Sequence, residues 1–207
     1  MFITFEGIDF CGKSTQIKKL EEYLISKHKI VKIIREPGGT QISEKVRDIL
    51  LDKKNVMMFM ETEILLFSAS RAQLVREKVR PFLNEGYFVL SDRFHDSSTA
   101  YQGYGRGLSV DAIKSIHKIA IGETIPDITF FIDIPVEVAH QRKQLKLAEL
   151  DRIEMADKDF FTRVREGYLL IAGEEKRFRV INGNRDIETI HKEIVKEIHD
   201  YDKTELI

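Results

Sequence analysis

The amino-acid sequence predicts an α/β domain built on a parallel sheet. Short runs of apolar, β-branched or aromatic residues recur along the chain, and the segments between them carry apolar residues at helical spacing. Five runs, each followed by polar or Gly/Pro-bearing residues, read as buried strands at 2–5, 30–34, 87–90, 128–132 and 178–181. Between them Ile17, Leu20 and Leu24 share one helix face, and Ile113, Ile116, Ile119 and Ala120 share another. Residues 186–202, with Ile187, Ile190, Ile194 and Ile198, predict a last helix packed on the core, beyond which 203–207 should fray.

A chain of 207 residues with 43% hydrophobic side chains supports one substantial core, so a single domain over 1–207 is expected. Repeats, low-complexity tracts and Pro/Ser-rich linkers are absent from the sequence. With 33 basic and 34 acidic residues interspersed, the chain lacks the positive excess of a general nucleic-acid binder. A local phosphate site is still allowed. No apolar run reaches the roughly 18 to 20 residues that cross a bilayer, and the first residues turn acidic at Glu6, too early for a signal peptide. A cytoplasmic protein with no membrane partner is therefore expected. One cysteine, Cys11, excludes an internal disulfide and a cysteine-cluster metal site. The six histidines are scattered singly and read as surface or locally hydrogen-bonded residues; the sequence identifies no partner for His95.

Gly7-Ile8-Asp9-Phe10-Cys11-Gly12-Lys13-Ser14 has Walker A spacing, follows a predicted strand and opens a predicted helix. The glycines let backbone N–H groups turn onto an anion, the helix N-terminus adds partial positive charge, and Lys13 reaches the outer phosphates. Ser14 offers its hydroxyl to Mg²⁺, and Thr15 can add a phosphate hydrogen bond. This predicts a P-loop NTPase fold with a five-stranded parallel sheet flanked by helices. Asp92, after the strand 87–90, is the candidate metal-site carboxylate, placed to hold a water of the Mg²⁺ shell; read alone, such an acid more often caps a helix. Cys11 is either a thiol activated among the loop amides, which bound nucleotide would shield, or a small buried filler. The loop does not by itself separate a kinase from a switch GTPase or an ATPase, although an Asn-Lys-x-Asp guanine-reading motif is missing.

Four more segments are richer in polar and aromatic residues than a core requires. They are Arg35-Glu36-Pro37-Gly38-Gly39-Thr40, the stretch 66–73 around Phe67 and Arg71, the stretch 92–103 from Asp92 to Gly103, and Asp151-Arg152-Ile153-Glu154. With the P-loop, in this order and spacing, they closely resemble the bacterial thymidylate kinase family from about Phe2 to the last helix. The resemblance implies Mg²⁺-dependent transfer from ATP to dTMP by a homodimer. It implies that Phe67 stacks on thymine, Arg71 bonds a base carbonyl, and Ser98 and Gln102 meet the base edge. Arg47 and Arg93 match the acceptor-phosphate clamp, a geometry that suits planar guanidinium groups. Tyr101 matches the ring beneath the sugar and Asp9 the carboxylate at the 3′-hydroxyl. Glu36 and Pro37 match a turn often closed by a cis bond, which proline permits. Taken singly, Phe67 reads as core and Arg71 as a surface charge. A kinase for another monophosphate or a deoxynucleoside kinase remains the rival, and the arginine pair argues against the latter.

The lid expected at about 140–154 departs from the resemblance. Bacterial relatives usually carry several arginines there, whereas this chain has Leu147 four residues before Asp151 and Phe10 in the P-loop. Lys13, Arg93 and Arg152 are expected to share the charge of the transferred phosphoryl group, assisted by Lys143 or Lys146. Arg142 is expected to lie against adenine. Lys143 and Lys146 also fit a solvated helix face.

Overall fold

The computed structural model of the chain describes residues 1–145 and 150–204. Strand β1 (Phe2–Glu6) leads through the Gly-rich loop into α1 (Lys13–Ser26), and β2 (Val31–Arg35) is followed by α2 (Gln41–Leu51) and α3 (Met60–Leu74). A π-helical turn, Val75–Val79, joins α3 to α4 (Arg80–Asn84), which precedes β3 (Phe88–Asp92). After β3 come α5 (His95–Ser98), a second π-helical segment (Thr99–Gly105) and α6 (Val110–Ile121). Strand β4 (Ile128–Asp133), α7 (Val136–Gln144), α8 (Lys158–Glu174), β5 (Phe178–Asn182) and α9 (Ile187–Thr204) complete the chain.

The five strands form one parallel sheet in the order β2-β3-β1-β4-β5. Helices must cross over to join parallel neighbours, which explains the alternating pattern of the sequence. Ile3, Phe5, Val89, Leu90, Ile128 and Phe130 to Ile132 are buried, so the three central strands are largely apolar and covered on both faces. The two outer strands differ from the expectation of full burial. Ile33 on β2 and Val180 on β5 are exposed, because an edge strand has one neighbour and less cover.

Expected helix faces hold with two corrections. On α6 the buried stripe is Ile113, His117, Ala120 and Ile121, whereas Ile119 is 78% exposed. On α9, Ile190, Ile194 and Ile198 are buried at the expected spacing while Ile187 faces outward. Helix α9 continues through Lys203 and Thr204, where fraying was expected; 205–207 lie outside the described residues.

Register positions the site. Asp92 pairs with Phe5 on one side and Arg35 on the other, so the carboxyl ends of β1, β2 and β3 lie side by side. The chain leaves β1 toward β2 and later crosses back to β4, making this edge the switch point where α/β sheets bind ligands.

Candidate active site

The loop from β1 to α1 depends on two glycines. Gly7 has φ +139, and a Cβ there would come within 2.7 Å of the Ile132 carbonyl oxygen and 2.8 Å of Cys11 Sγ. Gly12, at φ +105, caps α1 in a conformation that side chains rarely adopt. Phe10 also takes positive φ, at 65°, and borders the cavity. Lys13 folds over the loop, its Nζ donating to the carbonyl oxygens of Gly7 at 3.1 Å and Ile8 at 3.2 Å. Asp9, Gly12, Ser14 and Thr15 border the same cavity, whereas Ile8 and Cys11 turn their side chains into the core. Cys11 is buried, which matches the shielded filler rather than an accessible thiol.

Ser14 Oγ donates to Asp92 Oδ2 at 3.0 Å, so a hydroxyl and a carboxylate converge beside the loop. Mg²⁺ prefers oxygen donors and commonly takes one or two from protein, the rest from phosphates and water, so this pair fits it. Among the described residues no group of three or more His, Cys, Asp or Glu side chains could hold a metal on its own. Arg142, from α7, lies across the loop and donates to the carbonyl oxygens of Phe10, Cys11 and Gly183 at 3.2 to 3.3 Å. It thus bridges the P-loop to the turn after β5.

A cavity of about 540 Å³ runs from Lys13 and Ser14 past Arg93 to Phe67, Arg71, Ser98, Tyr101 and Gln102. Arg93 has φ 68 and stands at its centre. Its guanidinium donates to Asp9 at 2.6 Å, the Gly7 carbonyl oxygen at 2.9 Å, Ser97 Oγ at 3.2 Å and the Tyr101 hydroxyl at 3.2 Å. Burial pushes the Asp9 carboxyl up, but Arg93, Lys13 and the Tyr101 hydroxyl outweigh it and hold the carboxyl below its ordinary range.

Behind Arg93 lies Glu6, a carboxylate at the end of an otherwise apolar strand. It accepts from the Phe94 N–H at 2.7 Å, Ser97 Oγ at 2.5 Å and the Tyr168 hydroxyl at 2.8 Å, bracing the loop that carries Arg93. Burial, with Asp96 adding repulsion, raises its carboxyl to about 7. His95, for which the sequence identified no partner, is buried with its Nε2 3.5 Å from Asp96 and 3.4 Å from Arg177. Burial lowers it to about 4, so it is neutral at neutral pH.

Arg71 is 1% exposed and borders the far end of the cavity. Its Nε donates to Glu36 at 2.6 Å and its Nη2 to Ser98 Oγ at 3.0 Å and the Phe94 carbonyl oxygen at 3.2 Å. Among the described residues its Nη1 is buried without a hydrogen-bond partner, as is Glu36 Oε1. A buried guanidinium N–H left over at a cavity wall suits a ligand carbonyl. Burial pushes the Glu36 carboxyl up to about 7, only partly offset by Arg71. The Glu36–Pro37 bond is cis, as expected. Arg47 and Arg35 both donate to the Pro37 carbonyl oxygen, at 2.8 and 3.0 Å, and both border the cavity.

The lid motif is arranged differently from the expectation. Asp151 Oδ1 accepts from the N–H groups of Ile153 and Glu154, and Glu154 accepts in return from the Asp151 N–H, forming a compact turn. Asp151, Ile153 and Glu154 face the cavity, and Arg152 does not. Arg152 instead pairs with Glu63 at 2.6 Å and donates through Nε to the Leu50 carbonyl oxygen at 2.8 Å. Its backbone N–H reaches the Leu51 carbonyl oxygen at 3.3 Å. Lys143 donates to the Glu154 carbonyl oxygen. Lys146 and Leu147 lie outside the described residues.

Among the cavity residues Leu51 escaped the sequence reading, while Arg35, Phe94, Ser97, Asp151, Ile153 and Glu154 stood in the singled-out segments without an assigned role. Glu6 and Glu63 carried a usable signal, each being an acid that directly flanks an apolar run, 2–5 and 64–67, and each is buried.

Fold and cavity together define a P-loop phosphotransferase, with a phosphate loop at one end and a second pocket of arginine, aromatic and amide groups at the other. A family model described as thymidylate kinase matches residues 5–194. The chain belongs to the thymidylate kinase family, which phosphorylates dTMP to dTDP with ATP in dTTP synthesis. It is 52% identical over 194 residues to the thymidylate kinase of Thermosipho melanesiensis, covering 94% of this chain and 95% of that one. The thymidylate kinase of Thermoanaerobacter sp. (strain X514) is 49% identical over 201 residues, 97% and 98% of the two chains. The crystal structure of thymidylate kinase from Ehrlichia chaffeensis superposes with a TM-score of 0.79 at 37% identity, covering 96% of this chain and 98% of that one.

Proposed function

We propose that this cavity carries out the transfer of the terminal phosphoryl group of ATP to dTMP, with the donor at the P-loop and the acceptor between Arg93 and Arg71. The observation that supports this reading is the single cavity joining Lys13 and Ser14 to Arg71 and Gln102. Phe67 stacks on the base, Arg71 Nη1 donates to a base carbonyl, and Ser98 and Gln102 meet the base edge. Tyr101 lies beneath the sugar and the ionised Asp9 accepts from its 3′-hydroxyl. Arg47 and Arg93 hold the acceptor phosphate, near the turn of Glu36 and Pro37.

An acceptor phosphate oxygen bonds to the γ-phosphorus as the bond to the bridging oxygen of ADP breaks. That oxygen is already ionised near neutral pH, so alignment and charge neutralisation replace a strong general base. Lys13 and Arg93 supply the charge. Arg142, across the P-loop, offers a flat cationic surface to adenine. Arg152 is reassigned to anchoring the lid, since its guanidinium is committed to Glu63 and α2. Ser14 and Asp92 would hold Mg²⁺, which when bound neutralises phosphate charge.

The exposed Ile42 and Ile49 on α2, Leu65 on α3 and Ile119 on α6 favour a homodimer, because α3 packs against both other helices and burial against a second copy would take these apolar side chains from water. Among the described residues no helix is long and apolar enough to cross a membrane, in keeping with a cytoplasmic enzyme. ADP release measured across nucleoside monophosphates, with and without Mg²⁺, tests the reading. Turnover is expected with dTMP and Mg²⁺; ATP hydrolysis indifferent to the monophosphate would reject it.

A further inference from the structure

Glu63 lies on the buried face of α3, 2% exposed, one wall behind the acceptor pocket. It collects three donors from two parts of the chain, the segment 102–106 and Arg152. Gln102 Nε2 donates to its Oε1 at 2.8 Å, Arg106 Nε approaches the same oxygen at 3.3 Å, and the Arg152 guanidinium lies 2.6 Å from Oε2. Arg106 is itself held with its guanidinium 4.5 Å from the centre of the Phe160 ring.

The chemistry of this cluster has one outcome for Gln102. Burial pushes the Glu63 carboxyl up, but Arg106, the Gln102 hydrogen bond and Arg152 outweigh it, so the group sits below the ordinary carboxylate range. An ionised carboxylate accepts and never donates. An amide beside it must therefore turn its NH₂ toward it, since the flipped amide would set two oxygens against each other at hydrogen-bond distance. With Nε2 committed to Glu63, the other end of the Gln102 amide is its carbonyl oxygen, on a residue that borders the cavity.

We infer that Glu63 is a positioning residue that fixes the hydrogen-bond polarity of Gln102, presenting its oxygen to the acceptor base and so selecting a base edge that carries an N–H donor at N3. The inference rests on the reading that Gln102 meets the base edge. Thymine carries a donor at N3, and cytosine carries an acceptor there. Arg71 opposes an exocyclic amine at the neighbouring carbonyl position, so the two residues read adjacent atoms with opposite polarity. Arg71 has donors only, and Gln102 cannot invert its role while Glu63 is ionised and paired.

The test compares the affinities of dTMP and 5-methyl-dCMP, which share sugar, phosphate and methyl group and differ in polarity at N3 and C4. Competition binding is measured for the wild type, Glu63→Gln, Gln102→Ala and the double variant, with thermal unfolding as a check on folding. In Glu63→Gln the residue 63 amide both donates and accepts, so Gln102 is free to turn. The preference for dTMP should narrow by about tenfold, the scale of one hydrogen bond, with affinity for ATP unchanged. In the Gln102→Ala background the same substitution should change the preference by less than about twofold. Equal weakening of both nucleotides, or an equal narrowing in both backgrounds, would overturn the inference and leave Glu63 a structural acid. If Gln102→Ala alone leaves the preference intact, the base-edge reading of Gln102 fails first. Should Glu63→Gln not fold, the Gln102 side-chain amide in wild-type protein decides by NMR: one hydrogen protected from exchange is expected, and two freely exchanging hydrogens would refute the bond.

Discussion

The two ends of the cavity are built on different principles. At the P-loop two cationic side chains bond to backbone: Lys13 to the Gly7 and Ile8 carbonyl oxygens, Arg142 to those of Phe10, Cys11 and Gly183. At the acceptor end they bond mostly to one another, as in Arg71 with Glu36 and Ser98, or Gln102 with Glu63. Backbone groups are the same whatever the sequence, which suits the P-loop end to phosphates common to all nucleotides. Paired side chains fix polarity and position, so the acceptor end can discriminate.

The sharpest test of this contrast is Lys13→Ala. Removing a charge that acts on the transferred group should lower kcat by about two to three orders of magnitude while the fold and the dTMP preference survive. Steady-state kinetics at saturating substrates, with a thermal melt, checks it.

Arg71→Ala should do the reverse. It leaves Glu36 buried without its partner and removes a carbonyl donor, so dTMP affinity should fall by about ten- to a hundredfold with ATP affinity nearly unchanged. A collapse of ATP binding would contradict the division between the two ends.

The lid lies between them, and two arginines separate its links. Arg142→Ala should raise the KM for ATP by several-fold and leave dTMP affinity alone. Arg152→Ala should lower kcat by about tenfold through looser closure, a smaller loss than Lys13→Ala because Arg152 does not border the cavity. If Arg152→Ala matches Lys13→Ala in kcat, Arg152 acts on the phosphoryl group directly, as the sequence alone suggested.

The smallest effect concerns Glu6, and it appears in stability. Its carboxyl is raised from an ordinary 4.5 to about 7, so its contribution is fully present below about pH 4.5 and is lost as pH rises through about 7. Glu6→Gln removes that dependence. The melting temperature of the variant relative to wild type should therefore rise by a few degrees between about pH 5 and pH 8. Glu36 keeps a similar dependence in both proteins, so the difference between them is the quantity to read.

The same contrast explains what the sequence made legible. The P-loop is written in consecutive residues, because a turn and a helix N-terminus need glycines and a lysine at fixed local spacing. The central strands were legible as short runs of apolar, β-branched and aromatic residues. The acceptor pocket depends on residues far apart in the chain, and Arg71 read alone resembles a surface charge until Glu36 and Ser98 are brought to it across the sheet edge. Ile119 was misassigned for a related reason: helical spacing identifies an apolar stripe without saying which surface covers it. The direction of Arg152 was beyond sequence reasoning, because its partners are a carboxylate on α3 and two carbonyl oxygens on α2.

Those two carbonyls have a further meaning. A helix leaves its last four carbonyl groups without intrahelical donors. In α2 the Asp48 carbonyl takes the Asp52 N–H and that of Ile49 the Asn55 side chain, both supplied locally. The Leu50 and Leu51 carbonyls are capped in trans by Arg152, 102 and 101 residues downstream. The cation also sits at the negative end of the α2 dipole, where it is stabilising. The last turn of α2 thus has its full set of protein partners only while Arg152 stays docked. Undocking it would hand the two carbonyls to water and strip the final turn of the helix that carries Arg47 of its cap. The placement of residues 151–154 and the firmness of that helix end are thereby tied to the same two hydrogen bonds.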